Sequence, residues 1–320
     1  MPPLGLGFLG FPDLRGMVEA GRKAEQAGFE SAWVAETRIT RDAVTAMTAL
    51  LLGTQSMRVG SAAINVFTRG AALTAITWAT LAEAAPGRVV LGIGPGSPTP
   101  LAQQGYEFTH GVRRLREFVE AVRAAWTARP PVDYRGRYVQ FEGLMPELQP
   151  DQAPAVYFGV TGPRALDCAG ALADGVILNA FMPPSYVVRA RARLAAAAGG
   201  QFAGQIGGAI VVAMADSVAE AAARVRPILA TYLVYFPNLA RETGIDPEFL
   251  DRIRTRALED GLASIFPDLP DSLVQQHALC GPADVCRARL AEYRQAGLEL
   301  PVLFPDPQSL EPAIEGLAGA

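Results

Sequence analysis

The fold is decided by the stretch RVVLGIGPGSP, residues 88–98. Apolar strand-forming residues run directly into Gly92, Gly94 and Gly96, with no polar residue between them. A buried strand that ends in glycines predicts bare main chain at its carboxyl end. In α/β proteins this is where ligands bind, and main-chain N–H groups there suit phosphates. The alternative is a tight turn whose small residues serve only packing.

The rest of the chain repeats one order, a short apolar strand followed by an alanine-rich amphipathic helix. Eight strands are predicted, at residues 4–10, 29–35, 57–65, 89–93, 156–159, 176–179, 206–214 and 300–304. Nearly continuous apolar strands indicate a parallel sheet that is covered on both faces. Eight strand–helix units predict an α/β fold, a (β/α)8 TIM barrel forming one domain over residues 1–320. A doubly wound sheet with a separate cap is the structural alternative.

Two segments depart from this repeat. Residues 131–143 indicate a small hairpin that turns at Arg135 and Gly136. Residues 233–281 are helical but interrupted by prolines, so we expect a helical insertion before the last helix and strand. Its aromatic start, LVYFPNLAR at 233–241, suits a cover over a substrate or a dimer contact. A helical excursion with its own small core is the alternative.

Composition excludes several classes of partner. The chain is 50% hydrophobic and 19% charged, with a net charge of −4 and no basic stripe, so we expect no nucleic-acid partner. No apolar run reaches the length of a membrane span, and because the segment MPPLGLGFLGF lacks a basic region and a long apolar stretch, we expect no signal peptide. Cys168, Cys280 and Cys286 predict a reducing, cytoplasmic location without disulfides. Because only His110 and His277 are present, we expect no metal site and an organic cofactor.

Four predicted strand ends carry residues that suit a ligand site, and in a barrel all four lie on one rim. They are Glu36-Thr37-Arg38, residues 62–69 around Asn65, residues 94–97, and residues 159–164. Glu36 is the only carboxylate at the rim end of a predicted core strand, which makes it our candidate for handling a proton. A surface ion pair with Arg38 or Arg41 is the alternative for Glu36.

The fifth strand end suits a phosphate. Glycines and Thr161 precede a helix whose first residue is predicted to be Pro163, so free N–H groups and the helix dipole point at one place. Arg164 adds a charge. At the third strand end, Asn65 both donates and accepts hydrogen bonds, which suits the edge of a flavin-like heterocycle. An ordinary capped turn at Thr161 and a turn-forming Asn65 remain the alternatives.

Longer motifs support a family resemblance. They are AEQAGFESAWVAE (24–36), INVFTRGAALTA (64–75), LGIGPGS (91–97) and GPRALDCAGALADGVILNA (162–180). Together they resemble the luciferase-like flavin and deazaflavin superfamily of (β/α)8 barrels. The resemblance is strongest to its coenzyme F420-dependent branch, typified by methylenetetrahydromethanopterin reductase. It covers the chain except for about residues 233–281.

The resemblance implies an oxidoreductase in which coenzyme F420 lies across the barrel mouth and exchanges a hydride at its C5 with a small organic substrate. It places a non-prolyl cis peptide bond at Ala62–Ala63, behind the ring system. The cofactor-binding residues that it implies, together with those argued above, are Ala62, Ala63, Asn65, Gly94, Pro95, Gly96, Ser97, Gly159, Val160, Thr161, Gly162 and Arg164. It also implies a homodimer.

This chain departs from the family pattern at two positions. Relatives have an Asp-His pair where this chain has Glu36-Thr37, and relatives that oxidise sugar phosphates have Glu in place of Ser97. Two further functions therefore stay open. One is an FMN-dependent monooxygenase that uses O2 and a separate flavin reductase, and the other is a non-catalytic ligand-binding barrel. Low charge and many apolar positions near the mouth favour an uncharged or aromatic substrate.

Overall fold

The computed structural model describes residues 2–36 and 40–320. Its barrel strands are β1 (Gly5–Phe8), β2 (Ser31–Val34), β3 (Arg58–Ser61), β5 (Val89–Gly94), β8 (Ala155–Val160), β9 (Gly175–Leu178), β10 (Gln205–Met214) and β12 (Leu300–Pro305). They pair in parallel in this order, and β12 pairs with β1, so the sheet closes on itself. The (β/α)8 TIM barrel predicted from the sequence is confirmed.

The helices that surround the barrel follow their strands as the repeat predicts. They are α1 (Leu14–Gln26), α2 (Ala43–Gly53), α3 (Ala71–Ala84), α4 (Pro98–Ala102), α5 (Gly111–Thr127), α6 (Pro163–Leu172), α7 (Pro184–Ala197), α8 (Val218–Tyr235), α9 (Pro237–Ala240), α10 (Pro247–Asp260), α11 (Asp271–His277), α12 (Ala283–Gln295) and α13 (Leu310–Leu317). A 3-10 helix, Leu262–Asp268, lies between α10 and α11. The helix α13 after the last strand and the short α4 were not predicted.

Two short strands correct the sequence prediction. β4 (Ile64–Asn65) pairs with β5 beyond the end of β3, so the strand predicted at 57–65 is broken at Ala62–Ala63. β11 (Leu279–Gly281) pairs with the far end of β10, in a segment predicted to be helical. Three residues are too few for a periodic signal, and β11 forms because β10 extends past the barrel.

The two excursions lie where they were predicted. β6 (Val132–Arg135) and β7 (Gln140–Leu144) form the antiparallel hairpin. The insertion α9–α11 packs against α8 around a second buried cluster that includes Val225, Leu229, Ile253 and Ile265. The main cluster fills the space between the barrel and its helices, and a small third cluster around Trp33 and Tyr157 fills the barrel interior. The barrel is therefore a packed core that is open at one mouth.

Candidate functional site

The carboxyl ends of the barrel strands open into a cavity of about 1610 Å³. All thirteen residues that the sequence singled out line this cavity: Glu36, Ala62, Ala63, Asn65, Gly94, Pro95, Gly96, Ser97, Gly159, Val160, Thr161, Gly162 and Arg164. They come from four loops that are far apart in sequence. The closed barrel brings these loops together because the carboxyl ends of all eight strands point the same way.

The peptide bond between Ala62 and Ala63 is cis, as the resemblance implied. The chain bulges here against β5 and β8. A Cβ on Gly92 would lie 1.6 Å from the main-chain oxygen of Ser61, and one on Gly159 would lie 3.0 Å from the Ala63 Cβ. The Ser61 hydroxyl further ties the bulge to Gly92 through hydrogen bonds of 2.7 and 3.1 Å.

These contacts correct the interpretation of the glycines. Gly92 lies against the bulge, and a Cβ on Gly94 would lie 2.9 Å from the Gly159 oxygen, so both positions lack a side chain for packing. Both glycines belong to β5 and not to a turn, and the cofactor contact predicted for Gly94 stays a prediction. Gly162 differs, because a Cβ there would meet nothing within 4 Å. Bare main chain facing open space is thus found at the end of β8.

Thr161 carries the clearest sign of a ligand. It is 4% exposed and lines the cavity, and its Oγ1 is buried without a hydrogen-bond partner in the described part of the chain. A buried hydroxyl without a partner is costly, so such an atom indicates a missing polar group. Gly162 caps α6 and Pro163 is its first residue, as predicted. The exposed Arg164 also lines the cavity.

Tyr186 of α7 fixes this turn from behind. Its phenol is 1% exposed and donates a hydrogen bond to the main-chain oxygen of Thr161. Burial raises the pKa of the Tyr186 phenol, so the group stays a donor across the physiological pH range. The sequence held no signal for this contact, since 25 residues separate the two partners.

The Asn65 side chain stabilises the turn in which it lies. Its Oδ1 accepts hydrogen bonds from the main-chain N–H groups of Phe67 (2.9 Å) and Thr68 (3.1 Å), and its Nδ2 donates to the Thr68 hydroxyl at 3.0 Å. This is the turn-forming role that the sequence analysis left open. Asn65 lines the cavity, and its contact with a heterocycle stays a prediction.

Glu36 lies in a cluster of charges at the start of α2. Its Oε2 accepts a hydrogen bond of 2.8 Å from the Ala43 N–H and lies 3.6 Å from the Arg69 Nη2. Arg69 also pairs with Asp42, the cap of α2. The Glu36 side chain is 16% exposed. Its partner is therefore Arg69, which the sequence analysis did not consider.

The other residues proposed near Glu36 contribute little that can be described. Arg41 donates to the Gly10 oxygen at 3.4 Å instead of pairing with Glu36. Thr37 and Arg38 lie outside the described residues.

Sequence analysis missed a second carboxylate at the rim. Asp306 follows β12 and lines the cavity. Its Oδ1 accepts hydrogen bonds from the N–H groups of Gln308 and Ser309, and its Oδ2 lies 3.4 Å from the Arg224 Nε. Glu36 is thus not the only carboxylate at a strand end. The motif Pro-Asp-Pro resembles an ordinary turn, which is why it gave no signal.

Aromatic side chains of α8 form another wall. Tyr232, Tyr235 and Phe236 line the cavity, so the aromatic start of the predicted insertion faces the barrel mouth. The Tyr232 ring meets the buried Phe181 edge-on, with centroids 4.8 Å apart, and lies 5.2 Å from the Phe236 ring. Phe181 has φ of +64°, a backbone state that its side chain disfavours, and it is 1% exposed.

Within residues 2–36 and 40–320, no group of three or more His, Cys, Asp or Glu side chains is placed to hold a metal ion. Nor does this part of the chain contain a helix with the length and apolar character that crossing a membrane requires.

Comparison with known proteins agrees with this geometry. The family model described as luciferase-like monooxygenase matches residues 4–300. The chain belongs to this family. A 5,10-methylenetetrahydromethanopterin reductase from Methanolobus tindarius is 28% identical over 283 residues, which cover 86% of this chain and 85% of the relative. The resemblance to the luciferase-like superfamily is confirmed, and the reductase relative agrees with the predicted oxidoreductase class.

Two solved structures share the fold. A coenzyme F420 dependent tetrahydromethanopterin reductase from Methanopyrus kandleri superposes with a TM-score of 0.87 at 22% identity and covers 99% of this chain and 97% of that chain. An F420-dependent secondary alcohol dehydrogenase in complex with an F420–acetone adduct superposes with a TM-score of 0.81 at 19% identity, with the same coverage.

Proposed function

We propose that this protein is an oxidoreductase that uses coenzyme F420 to move a hydride to or from a small organic substrate. One observation carries the proposal: the twelve predicted cofactor-binding residues line one cavity at the barrel mouth. Family membership supports it, as does a putative coenzyme F420-dependent oxidoreductase from Mycobacterium tuberculosis that is 25% identical to this chain over 328 residues. The unpartnered Oγ1 of Thr161 and the open space in front of Gly162 fit a phosphorylated group at the end of β8.

Different residues of the chain would bind the ring and the phosphate of the cofactor. When bound, coenzyme F420 would carry the exchanged hydride at C5 of its deazaflavin ring. Ala62 and Ala63 have side chains small enough to let a flat ring approach the bulge. The Thr161 hydroxyl would donate a hydrogen bond to the phosphate, and Arg164 and the positive end of the α6 dipole would attract the same group. The aromatic wall of α8 excludes water from the reacting face.

Glu36 is our candidate for the residue that holds or moves a proton. It faces the cavity while Arg69 and the Ala43 N–H hold its carboxylate in place. Replacing Glu36 with Gln keeps an acceptor for the Ala43 N–H and removes the charge. We expect Glu36→Gln to lower turnover at least about tenfold and to change the F420 Kd less than about twofold.

Turnover is measured from deazaflavin absorbance with a substrate found by screening. Equal turnover in the wild type and Glu36→Gln would remove Glu36 from the mechanism and leave it as an anchor of α2.

The cofactor is tested by titration of the purified protein. We expect tight binding of coenzyme F420, followed by its fluorescence, and weaker binding of FMN. Binding of FMN alone would overturn the proposal in favour of the monooxygenase. Binding of neither would favour the non-catalytic barrel. The predicted homodimer is a separate matter, which light scattering on a gel-filtration column measures.

A further inference from the structure

One wall of the cavity faces the proposed ring seat. In the closed ring of eight strands, β10 lies four strands from β3 in either direction, so the two are across the barrel from each other. The helix after β10 is α8. Ile228, Tyr232 and Phe236 are spaced by four residues along it and its end, which puts them on one side, and all three line the cavity. This wall offers an apolar surface with two aromatic rings, whose planes are inclined by 36°.

Arg254 adds a positive charge to this part of the cavity. It lies on α10, which packs against α8 and buries Leu250, Ile253 and Ala257 in the core that the two helices share. Arg254 lines the cavity instead and is only partly exposed. Within the described residues it makes no ion pair, whereas Arg256 on the same helix pairs with Asp268.

The charges that line the cavity do not balance. In the part of the chain that the structure describes, five arginines and four carboxylates line the cavity, an excess of one positive charge. Glu36 and Asp42 share one of these arginines, Arg69, and Asp306 lies 3.4 Å from Arg224 outside the lining. The other four lining arginines have no carboxylate partner among the described residues: Arg41, Arg164, Arg241 and Arg254. An excess of positive charge in the cavity of a chain with net charge −4 selects anions.

The four arginines differ in their contacts, their exposure and their position in the cavity. Arg41 donates to the Gly10 oxygen, and Arg164 lies at the proposed phosphate site. Arg241 is exposed at the end of the short α9. Arg254 is partly buried, lines the cavity and lies on α10, which packs against the helix that carries Tyr232.

Building on the proposed function, we propose that the substrate is an organic acid with a flat apolar body. The body packs against Tyr232 and Phe236, and its carboxylate forms a charge-assisted hydrogen bond with the Arg254 guanidinium. The sequence analysis expected an uncharged or aromatic substrate. The substrate that we propose is aromatic, but it carries an anionic group. A planar guanidinium suits a carboxylate because the two can form parallel hydrogen bonds.

The test compares two probes of equal shape, 2-naphthoate and its uncharged amide, 2-naphthamide. Each is titrated calorimetrically into full-length protein saturated with coenzyme F420. We expect the wild type to bind 2-naphthoate at least tenfold more tightly than 2-naphthamide. Arg254→Gln should abolish this preference, and Arg254→Lys should retain part of it. Tyr232→Ala should weaken both probes by a similar factor, since both probes have the same apolar ring system.

The matched control is Arg252→Gln, which changes an exposed arginine of the same helix whose guanidinium lies over the Phe249 ring, 5.1 Å from its centroid. It should leave both affinities unchanged. Equal binding of the two probes to the wild type would overturn the proposal. So would a loss of F420 affinity in Arg254→Gln, because Arg254 would then serve the cofactor. If F420 does not bind at all, the proposed function fails, and the same titrations on cofactor-free protein still decide the role of Arg254.

Discussion

Gly92 shows how little freedom a single residue has beside the cis bulge. A methyl group there would lie 1.6 Å from a main-chain oxygen, and main chain on both sides is held in the barrel. We expect Gly92→Ala to lower the free energy of unfolding by at least about 3 kcal/mol, measured by urea denaturation. Gly162→Ala is the control, because its methyl group meets open space, and it should cost less than about 1 kcal/mol.

The same control has a second readout. Gly162 lines the cavity, so the added methyl group occupies space that we assign to the cofactor phosphate. Gly162→Ala should therefore weaken F420 binding while the protein stays folded. Stability losses of equal size in Gly92→Ala and Gly162→Ala would contradict the packing argument.

Tyr186 tests whether the turn before α6 needs support. Tyr186→Phe removes the donor to the Thr161 oxygen and leaves a buried carbonyl without a partner. We expect a loss of about 1–2 kcal/mol in the free energy of unfolding and a several-fold rise in the F420 Kd. The loss should be the same at pH 6 and pH 9, because burial raises the pKa of Tyr186. Tyr106→Phe, at an exposed ring, should change neither quantity.

At the scale of elements, Glu25 joins α1 to the start of β3. Its carboxylate accepts hydrogen bonds from the N–H groups of Gln55, Ser56 and Met57 and from the Ser56 hydroxyl. Burial raises the pKa of Glu25, but these hydrogen bonds outweigh burial and lower the pKa to about 2 from 4.5. Because the folded pKa is the lower one, this stabilisation is complete above about pH 5 and is lost as the pH falls towards 2.

Glu25→Gln should be less stable than the wild type by about 1–2 kcal/mol at pH 7, a figure reduced for the partial exposure of the group. The difference should shrink as the pH falls from 5 to 3, measured by urea denaturation at each pH. Glu83→Gln, at an exposed carboxylate of α3, is the control and should follow the wild type throughout. A difference that stays constant with pH would mean that the charge of Glu25 does not matter.

Strands and helices were predictable from sequence where their pattern of apolar residues repeats along the chain. The barrel strands are buried apolar runs, and each was placed within a few residues. β4 and β11 have two and three residues, and each exists because a neighbouring strand extends beside it. Local sequence carries no such information. The pairing of Glu36 with Arg69, 33 residues apart, likewise depends on how β2 and β3 lie side by side.

For the whole molecule, the three cysteines report on the packing of the barrel. All are buried and free. Burial raises the pKa of Cys280 and Cys286 to about 12 and also raises the pKa of Cys168. Since the thiolate is the reactive form, we expect no reaction with a disulfide reagent at pH 8 in the native protein, and three thiols in guanidinium chloride. Rapid reaction of any thiol without denaturant would show that the closed barrel opens.

The sequence predicted which positions form the candidate site, but it predicted the roles of the individual residues less well. Topology alone brings the four glycine- and polar-rich loops to one mouth, and the motifs identified them. The steric reason for glycine at positions 92 and 94 was not predicted, because close contacts with the main chain of Ser61 and Gly159 have no sequence pattern. Arg254 and Asp306 were missed for a similar reason. Arginines and aspartates are common on helices and turns, and only the arrangement in space shows which ones face the cavity.

The position of α8 and the insertion has a consequence for how this protein diversifies. The seat that we assign to the redox carrier is built before residue 165, while the wall that we assign to the reactant comes from residues 228–254. Under this assignment, reactant choice and redox chemistry would be encoded in separate stretches of the gene. Grafting residues 228–278 from another member of the family should transplant its selectivity while leaving the carrier's seat untouched.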